Sequence, residues 1–194
     1  NTPLSNECNS RMLAINQSDY QLIDLAISGD DRAFQLLVER HQRIVATASM
    51  NMVGDMDIAQ EIGQQTFIRF YKAMRSFKKE AKLSTYLTRI AINLSLNHLK
   101  RKQSFANRSL DLGKADKVQT ASDSFDNKQV VNMALQMLDD KHRSVVILRM
   151  IQGYSTNETA ILLEIPKGTV LSRLKRGLDK LKKHLKEDLE YEKN

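Results

Sequence analysis

The side chains whose types and spacing could do chemistry in this chain are cations. Residues 167–186 carry Lys167, Arg173, Lys175, Arg176, Lys180, Lys182, Lys183 and Lys186 against one acid, Asp179. A purely structural helix face usually mixes both signs and gains i,i+4 pairs. A one-sided run instead offers groups that neutralise phosphates. The groups that would support catalysis lack the spacing for it. His41, His98, His142 and His184 are scattered, with no His-Glu-x-x-His pair. The lone Cys8 excludes an internal disulfide and a Cys-based zinc site. There is no Gly-rich phosphate loop and no Gly-x-Ser-x-Gly turn. The residues therefore predict a binding protein rather than an enzyme, with no metal and no cofactor. Met50, Met52, Met74, Met133 and Met137 fit buried helix faces rather than a metal box.

A second basic block lies upstream. Residues 62–102 hold 10 bases and one acid, Glu80, whereas residues 19–61 hold 8 acids and 3 bases. Residues 103–129 balance at 4 of each. Residues 130–186 hold 11 bases and 5 acids, and residues 187–194 hold 4 acids and 1 base. Two basic blocks separated by a neutral stretch suit two contacts with a long polyanion, and nucleic acid fits that better than a small acidic substrate.

The elements that must position these charges are helices. The chain of 194 residues has 7 Gly and 2 Pro, too few for the turns of an all-β fold. Apolar residues recur at three-to-four spacing. Leu22, Ile23, Ala26 and Ile27 begin the pattern, and Gly29-Asp30-Asp31 interrupts it. A long stripe runs from Phe34 through Leu37, His41 and Val45 to Met52. Asp55 or Asp57 caps the next helix, which carries Ile58, Ile62, Phe67, Phe70 and Met74. Residues 77–84 break the period and read as a loop. Ser84 or Thr85 is positioned to cap a fourth helix, with Leu87, Ile90, Ala91 and Leu94 inward, that runs out at Lys100-Arg101-Lys102.

Residues 103–129 are polar and aperiodic, which predicts a linker. Periodicity resumes at Val130, so the expected organisation is an arm over 1–18, a helical domain over 19–102, the linker, a second helical domain over 130–188 and a tail over 189–194. The fold class is all-α. No apolar run approaches the roughly 18 residues of a membrane span. The first 20 residues lack an apolar signal core, and one cysteine suits a reducing compartment, so a cytoplasmic protein without membrane insertion is expected.

Ser155 with Glu158 three residues on is a capping box. Ala160 is small enough for close helix approach, and Leu162 and Leu163 face inward. Glu164-Ile165-Pro166 is a break of the length found in a helix-turn-helix corner. Ile165 fills the space beneath it, and Pro166 suits the start of the next helix. Val170 and Leu174 lie four apart on the buried face of that helix, which leaves Lys167, Leu171, Ser172, Lys175 and Arg176 outward. A major groove admits one such helix.

This stretch resembles the promoter −35 reading domain of bacterial sigma factors of the sigma-70 family, in the extracytoplasmic-function branch. The resemblance rests on Gly153, Ser155, Glu158, Ala160, Ile165, Gly168-Thr169-Val170, Ser172-Arg173-Leu174 and Arg176. It implies that Lys167, Thr169, Leu171, Ser172, Arg173, Lys175 and Arg176 meet the −35 element. Upstream, Ala59-Gln-Glu-Ile-Gly-Gln-Gln-Thr-Phe67 and Leu83-Ser-Thr-Tyr-Leu-Thr-Arg-Ile-Ala-Ile-Asn93 are similar to the family's core-binding and −10-melting domain. That likeness implies core polymerase contacts through Asp57, Glu61, Gln64 and Gln65. It implies −10 contacts through Lys78, Lys79, Lys82, Arg89, Asn93, Asn97, Lys100 and Arg101, with Tyr86 packed inside.

Some residues depart from the family pattern. Gln65 stands where Glu is usual and Asn97 where Asp is usual. Glu164 stands where Gly is usual, which strains the corner if positive φ is needed there. Pro166 replaces a capping Ser. The expected partners are core RNA polymerase, promoter DNA and an anti-sigma factor. Free, the two domains are expected to pack together and hide both DNA faces. The rival reading is a stand-alone dimeric helix-turn-helix regulator that binds an operator without polymerase. An RNA-binding helical protein is a weaker third, because stacking aromatics are sparse.

Overall fold

The computed structural model describes residues 17–110 and 127–191, with side chains described over 17–106 and 130–184. The arm before Gln17, the linker residues 111–126 and the tail beyond Tyr191 lie outside the described residues. Those described form eight α-helices: α1 Asp19–Ile27, α2 Asp31–Val53, α3 Met56–Ala73, α4 Leu83–Leu110, α5 Asn127–Gln136, α6 Asp140–Val146, α7 Thr156–Leu163 and α8 Lys167–Tyr191.

Short polar residues set most of the starts. Ser18 closes a capping box with Gln21, Asp30 accepts from the Arg32 and Ala33 amides, and Asp55 accepts from the Ile58 amide. Gly54 ends α2 in the left-handed conformation, its amide donating to the Met50 carbonyl at 2.8 Å. Helices α1–α4 then close on Leu22, Ile23, Leu37, Val45, Phe70, Leu83 and Leu87. The rings of Phe70, Phe77 and Tyr86 meet edge-on or tilted at 4.9–6.1 Å, so Tyr86 is the packed aromatic that the sequence implies.

The second unit does not stand apart. Ala48, Met52 and Ile92 of the first unit share one core with Leu135, Leu138, Val146, Ile147, Leu148, Tyr154 and Leu162 of the second. Arg143, nearly fully buried, fastens this seam. Its guanidinium donates to the carbonyls of Leu135 at 2.9 Å, Gln136 at 3.0 Å and Leu138 at 2.7 Å, and across to Met52 at 2.6 Å. The carbonyls of Leu135, Gln136 and Met52 lie at the ends of α5 and α2, where helices leave C=O groups short of intrahelical partners, and Leu138 lies in the turn after α5. A cation there also complements both helix dipoles. Burial depresses the Arg143 pKa, opposed by the carboxylates of Asp140 and Asp139.

Several expectations change. Helix α4 starts at Leu83, with the Tyr86 amide donating to the Lys82 carbonyl, so Ser84 and Thr85 sit inside its first turn rather than capping it. It does not stop at Lys102 but continues to Leu110. The polar residues 103–110 need no core to stay helical, because they extend a helix already nucleated on a packed face. Helix α8 likewise extends beyond Lys186 to Tyr191. Residues 147–151 are a π-helical segment rather than plain α-helix, closed by the Gln152 amide on the Ile147 carbonyl at 2.9 Å. Met133 and Met137 are exposed, contrary to the buried faces expected of them. The inward stripe of this part is Ala134, Leu135 and Leu138, and the two methionines lie on the other side of the turn.

Candidate nucleic-acid interface

The helix-turn-helix is built from α7, a corner and α8. The Glu158 amide donates to Ser155 Oγ at 3.2 Å, and the Ser155 amide donates to Glu158 Oε2 at 2.8 Å. Hydrogen bonds from the Ser155 amide, and then from its side chain, hold the Glu158 carboxyl below its ordinary pKa. Thr159, Ala160 and Leu162 face inward. The helix ends in a Schellman pair: the Ile165 amide donates to the Ala160 carbonyl at 3.0 Å and the Glu164 amide to Ile161 at 3.4 Å. Glu164 supplies the left-handed residue, at φ 54° and ψ 44°. The strain inferred from its departure from glycine is present. Ile165 packs on Val145, Ala160 and Val170, which fixes the angle at which α8 leaves the corner.

The first turn of α8 has no side-chain cap. The Pro166 carbonyl instead accepts the Thr169 and Val170 amides at 2.9 and 3.1 Å. Val170 is fully buried and Leu174 packs against the same cluster. Gly177 lies so close to α6 that a Cβ would stand 2.8 Å from Val146 Cγ2. The buried side of α8 is therefore fixed, and Lys167, Leu171, Ser172, Lys175 and Arg176 are all exposed on the opposite side. Thr169 and Arg173 are half-buried at its flank. The Ser172 hydroxyl donates back to the Thr169 carbonyl at 3.1 Å.

In the first unit the predicted residues form two surfaces. Asp57, Glu61, Gln64 and Gln65 are all exposed along α3, opposite the buried Ala59, Ile62, Thr66 and Phe70. Lys78 and Lys82 are exposed in the loop before α4. Lys79 is left-handed at φ 56° and its ammonium reaches Asp24 Oδ1 at 2.5 Å. Asn93, Asn97, Lys100 and Arg101 are exposed along α4, and Arg89 is half-buried at the head of the same stripe.

Two features were not anticipated. Arg89 is ion-paired to Glu164 of the helix-turn-helix corner. Arg143 was not singled out, although a lone arginine just ahead of the apolar run Val145–Leu148 is a sequence signal for a buried cation. The expectation that closure hides both DNA faces fails in part. The units do pack together, but the outward side of α8 stays exposed and only Arg89 of the α4 stripe is engaged across the seam. Two of the histidines meet carboxylates. His41 Nε2 lies 2.9 Å from Asp19 Oδ2, and His142 Nδ1 lies 2.7 Å from the Asp139 carboxylate. Among the described residues no cluster of His, Cys, Asp or Glu is arranged to hold a metal, and no helix is long and apolar enough to cross a membrane.

Comparison with known proteins matches this layout. Residues 37–105 match the family model Sigma-70 region 2, and residues 134–183 match Sigma-70, region 4. Together they span more than half of the chain. The RNA polymerase sigma-H factor of Pseudomonas aeruginosa is 29% identical over 182 residues, covering 87% of this chain and 94% of that protein. The ECF RNA polymerase sigma factor SigW of Bacillus subtilis is 29% identical over 172 residues, covering 82% and 92%. Among solved structures, CnrH in complex with the cytosolic domain of CnrY aligns with a TM-score of 0.66 at 27% identity, over 89% of this chain and 99% of that one. The chain belongs to the sigma-70 family, in its extracytoplasmic-function branch: it is a sigma factor, a promoter-recognition subunit of RNA polymerase and not an enzyme.

Proposed function

We propose that the two units divide promoter recognition between them, as region 2 over residues 19–102 and region 4 over 130–188. Asp57, Glu61, Gln64 and Gln65 on α3 dock the core polymerase. Lys78, Lys79, Lys82, Arg89, Asn93, Asn97, Lys100 and Arg101 take the melted −10 strand. Basic groups neutralise its phosphates, and the two asparagines hydrogen-bond base edges or backbone. The loop before α4 receives an unstacked base, which offsets the few kcal/mol that opening the duplex costs. Lys167, Thr169, Leu171, Ser172, Arg173, Lys175 and Arg176 place α8 in the major groove of the −35 element.

The observation that carries this reading is the fixed roll of α8. Burial of Val170, and the approach of Gly177 to Val146, leave one cationic side for DNA. CnrH is held by the cytosolic domain of CnrY in its solved complex. By that likeness, this chain acts in the cytoplasm and is held by a protein partner of anti-sigma type.

The test is transcription in vitro with core polymerase, on promoters selected from a randomised duplex library. Arg176→Ala and Lys175→Ala lower output from −35-dependent promoters and leave core binding intact, whereas Glu61→Lys weakens core binding. A good contact to a base is worth about 1–3 kcal/mol, so a lost Arg176 contact lowers output by roughly 5- to 150-fold. Equal loss of core binding in all three variants overturns the division.

A further inference from the structure

We propose that the helix-turn-helix corner is an internal ligand of the −10-reading stripe, with Glu164 as an acidic latch on Arg89. The inference rests on the assignment of Arg89 to the −10 strand made above. Two neighbouring residues of α4 are held by the two ends of α7. Before α7, Tyr154 Oη donates to Thr88 Oγ1 at 3.1 Å, with Thr88 fully buried. After α7, the Glu164 carboxylate pairs with the Arg89 guanidinium. The same α7 contributes Leu162 to the core shared with Ile92 of α4. The corner is thus seated on α4 by an apolar contact, a buried hydroxyl pair and an ion pair.

The residue choice at the corner supports a role beyond turning the chain. A left-handed L-residue costs roughly 1–2 kcal/mol relative to glycine. Glu164 incurs that cost at φ 54° and sets its carboxylate on a cation of the other unit. A phosphate and this carboxylate compete for the same guanidinium, because both are planar-fork partners of arginine. While the latch is closed, the head of the −10 stripe is occupied.

The closed chain also cannot read a whole promoter. Positions −10 and −35 lie about 85 Å apart along B-form DNA, at roughly 34–36 Å per turn of 10–10.5 base pairs. In the closed arrangement α7 sits against α4, and α8 follows it after a three-residue corner. Promoter reading therefore requires the seam to open, and opening frees Arg89. The outward side of α8 needs no such release, so closure withholds the Arg89 contact at the head of the −10 stripe and leaves the −35 side open. The latch makes the Arg89 contact to the strand conditional on the separation that polymerase imposes.

The test measures the distance between spin labels in the free chain, with neither polymerase nor DNA present. Labels at Gln42→Cys on α2 and Asn157→Cys on α7, with Cys8→Ser, report both units from exposed positions. An exposed ion pair is worth a modest shift, so Glu164→Gln and Arg89→Gln each raise the open-to-closed ratio by roughly 1.5- to 5-fold. The charge swap Arg89→Glu with Glu164→Arg restores the wild-type ratio. The single-variant effects shrink as ionic strength rises, because screening removes the attraction they delete. No closed population in the wild type, no shift in the single variants, or no rescue by the swap overturns the latch. These outcomes are separable from failure of promoter reading, which the transcription assay tests.

Discussion

Replacing Arg143 tests how the two units are held as one body. The Arg143→Met variant keeps an unbranched side chain of similar length and removes all the donors. Three carbonyls that accept from Arg143, those of Leu135, Leu138 and Met52, lose a charged partner at buried hydrogen bonds. Leaving one such group unsatisfied costs about 1–3 kcal/mol. Relief from burying a guanidinium offsets part of that, since apolar replacements of buried ions recover several kcal/mol. The net loss expected is about 3 kcal/mol, of the order seen when one partner of a buried polar set is removed. In urea this lowers the midpoint by roughly 1–3 M, for slopes of about 1–3 kcal/mol per M. Arg143→Lys recovers only part of the loss, because an ammonium has three donors around a point and cannot span carbonyls from two helix ends. A loss below about 1 kcal/mol for Arg143→Met, or full stability in Arg143→Lys, refutes the clamp. One of the four bonds crosses to α2, so the Met variant also widens the distance between the units in the free chain.

Three further outcomes follow from local geometry. Ser155→Ala removes the cap of α7 and lowers stability by about 1 kcal/mol in chemical unfolding, while Ser155→Thr stays near wild type. Gly54→Ala costs about 1–2 kcal/mol, because φ is 74° there and a Cβ meets the Gln136 side chain at 2.6 Å. The third concerns acid. Burial raises the Asp139 pKa, but hydrogen bonds and charge from Lys180 and His142 outweigh it and hold the carboxyl well below its ordinary value. A depressed carboxylate stabilises the fold above its unfolded value of about 3.9, and that contribution is lost as pH falls below it. Acid titration of Lys180→Met, followed by circular dichroism, shows a shallower loss of stability below about pH 4 than wild type. The difference narrows in high salt, because Asp139 is half-exposed.

The fold class, both basic surfaces and the helix-turn-helix were legible in the sequence because each rests on local rules. Capping boxes, a three-residue corner and a period of three to four are short-range signals. Glu164 illustrates how far they reach: its left-handed turn followed from its place in the corner, while its pairing with Arg89 did not. A contact 75 residues away in sequence leaves no local trace. Arg143 was missed for the same reason, since three of its bonds are local and the decisive one joins α6 to α2. Met133 and Met137 misled because an apolar residue on a short helix satisfies the helical period from either side of a stripe. The extension of α4 past Lys102 was hidden by composition. Polar residues read as linker when nothing in the sequence shows that they continue a helix anchored by Leu83 and Leu87.

The central claim is that the chain joins core polymerase through α3 and reads promoter DNA through α4 and α8. The most direct measurement is co-elution of the purified chain with bacterial core RNA polymerase on a sizing column, alongside Glu61→Lys and Arg176→Ala. The account predicts a stoichiometric complex for the wild type and Arg176→Ala, and a weakened one for Glu61→Lys. A chain that stays free of core polymerase, yet binds duplex operator DNA as a dimer at moderate salt, contradicts it.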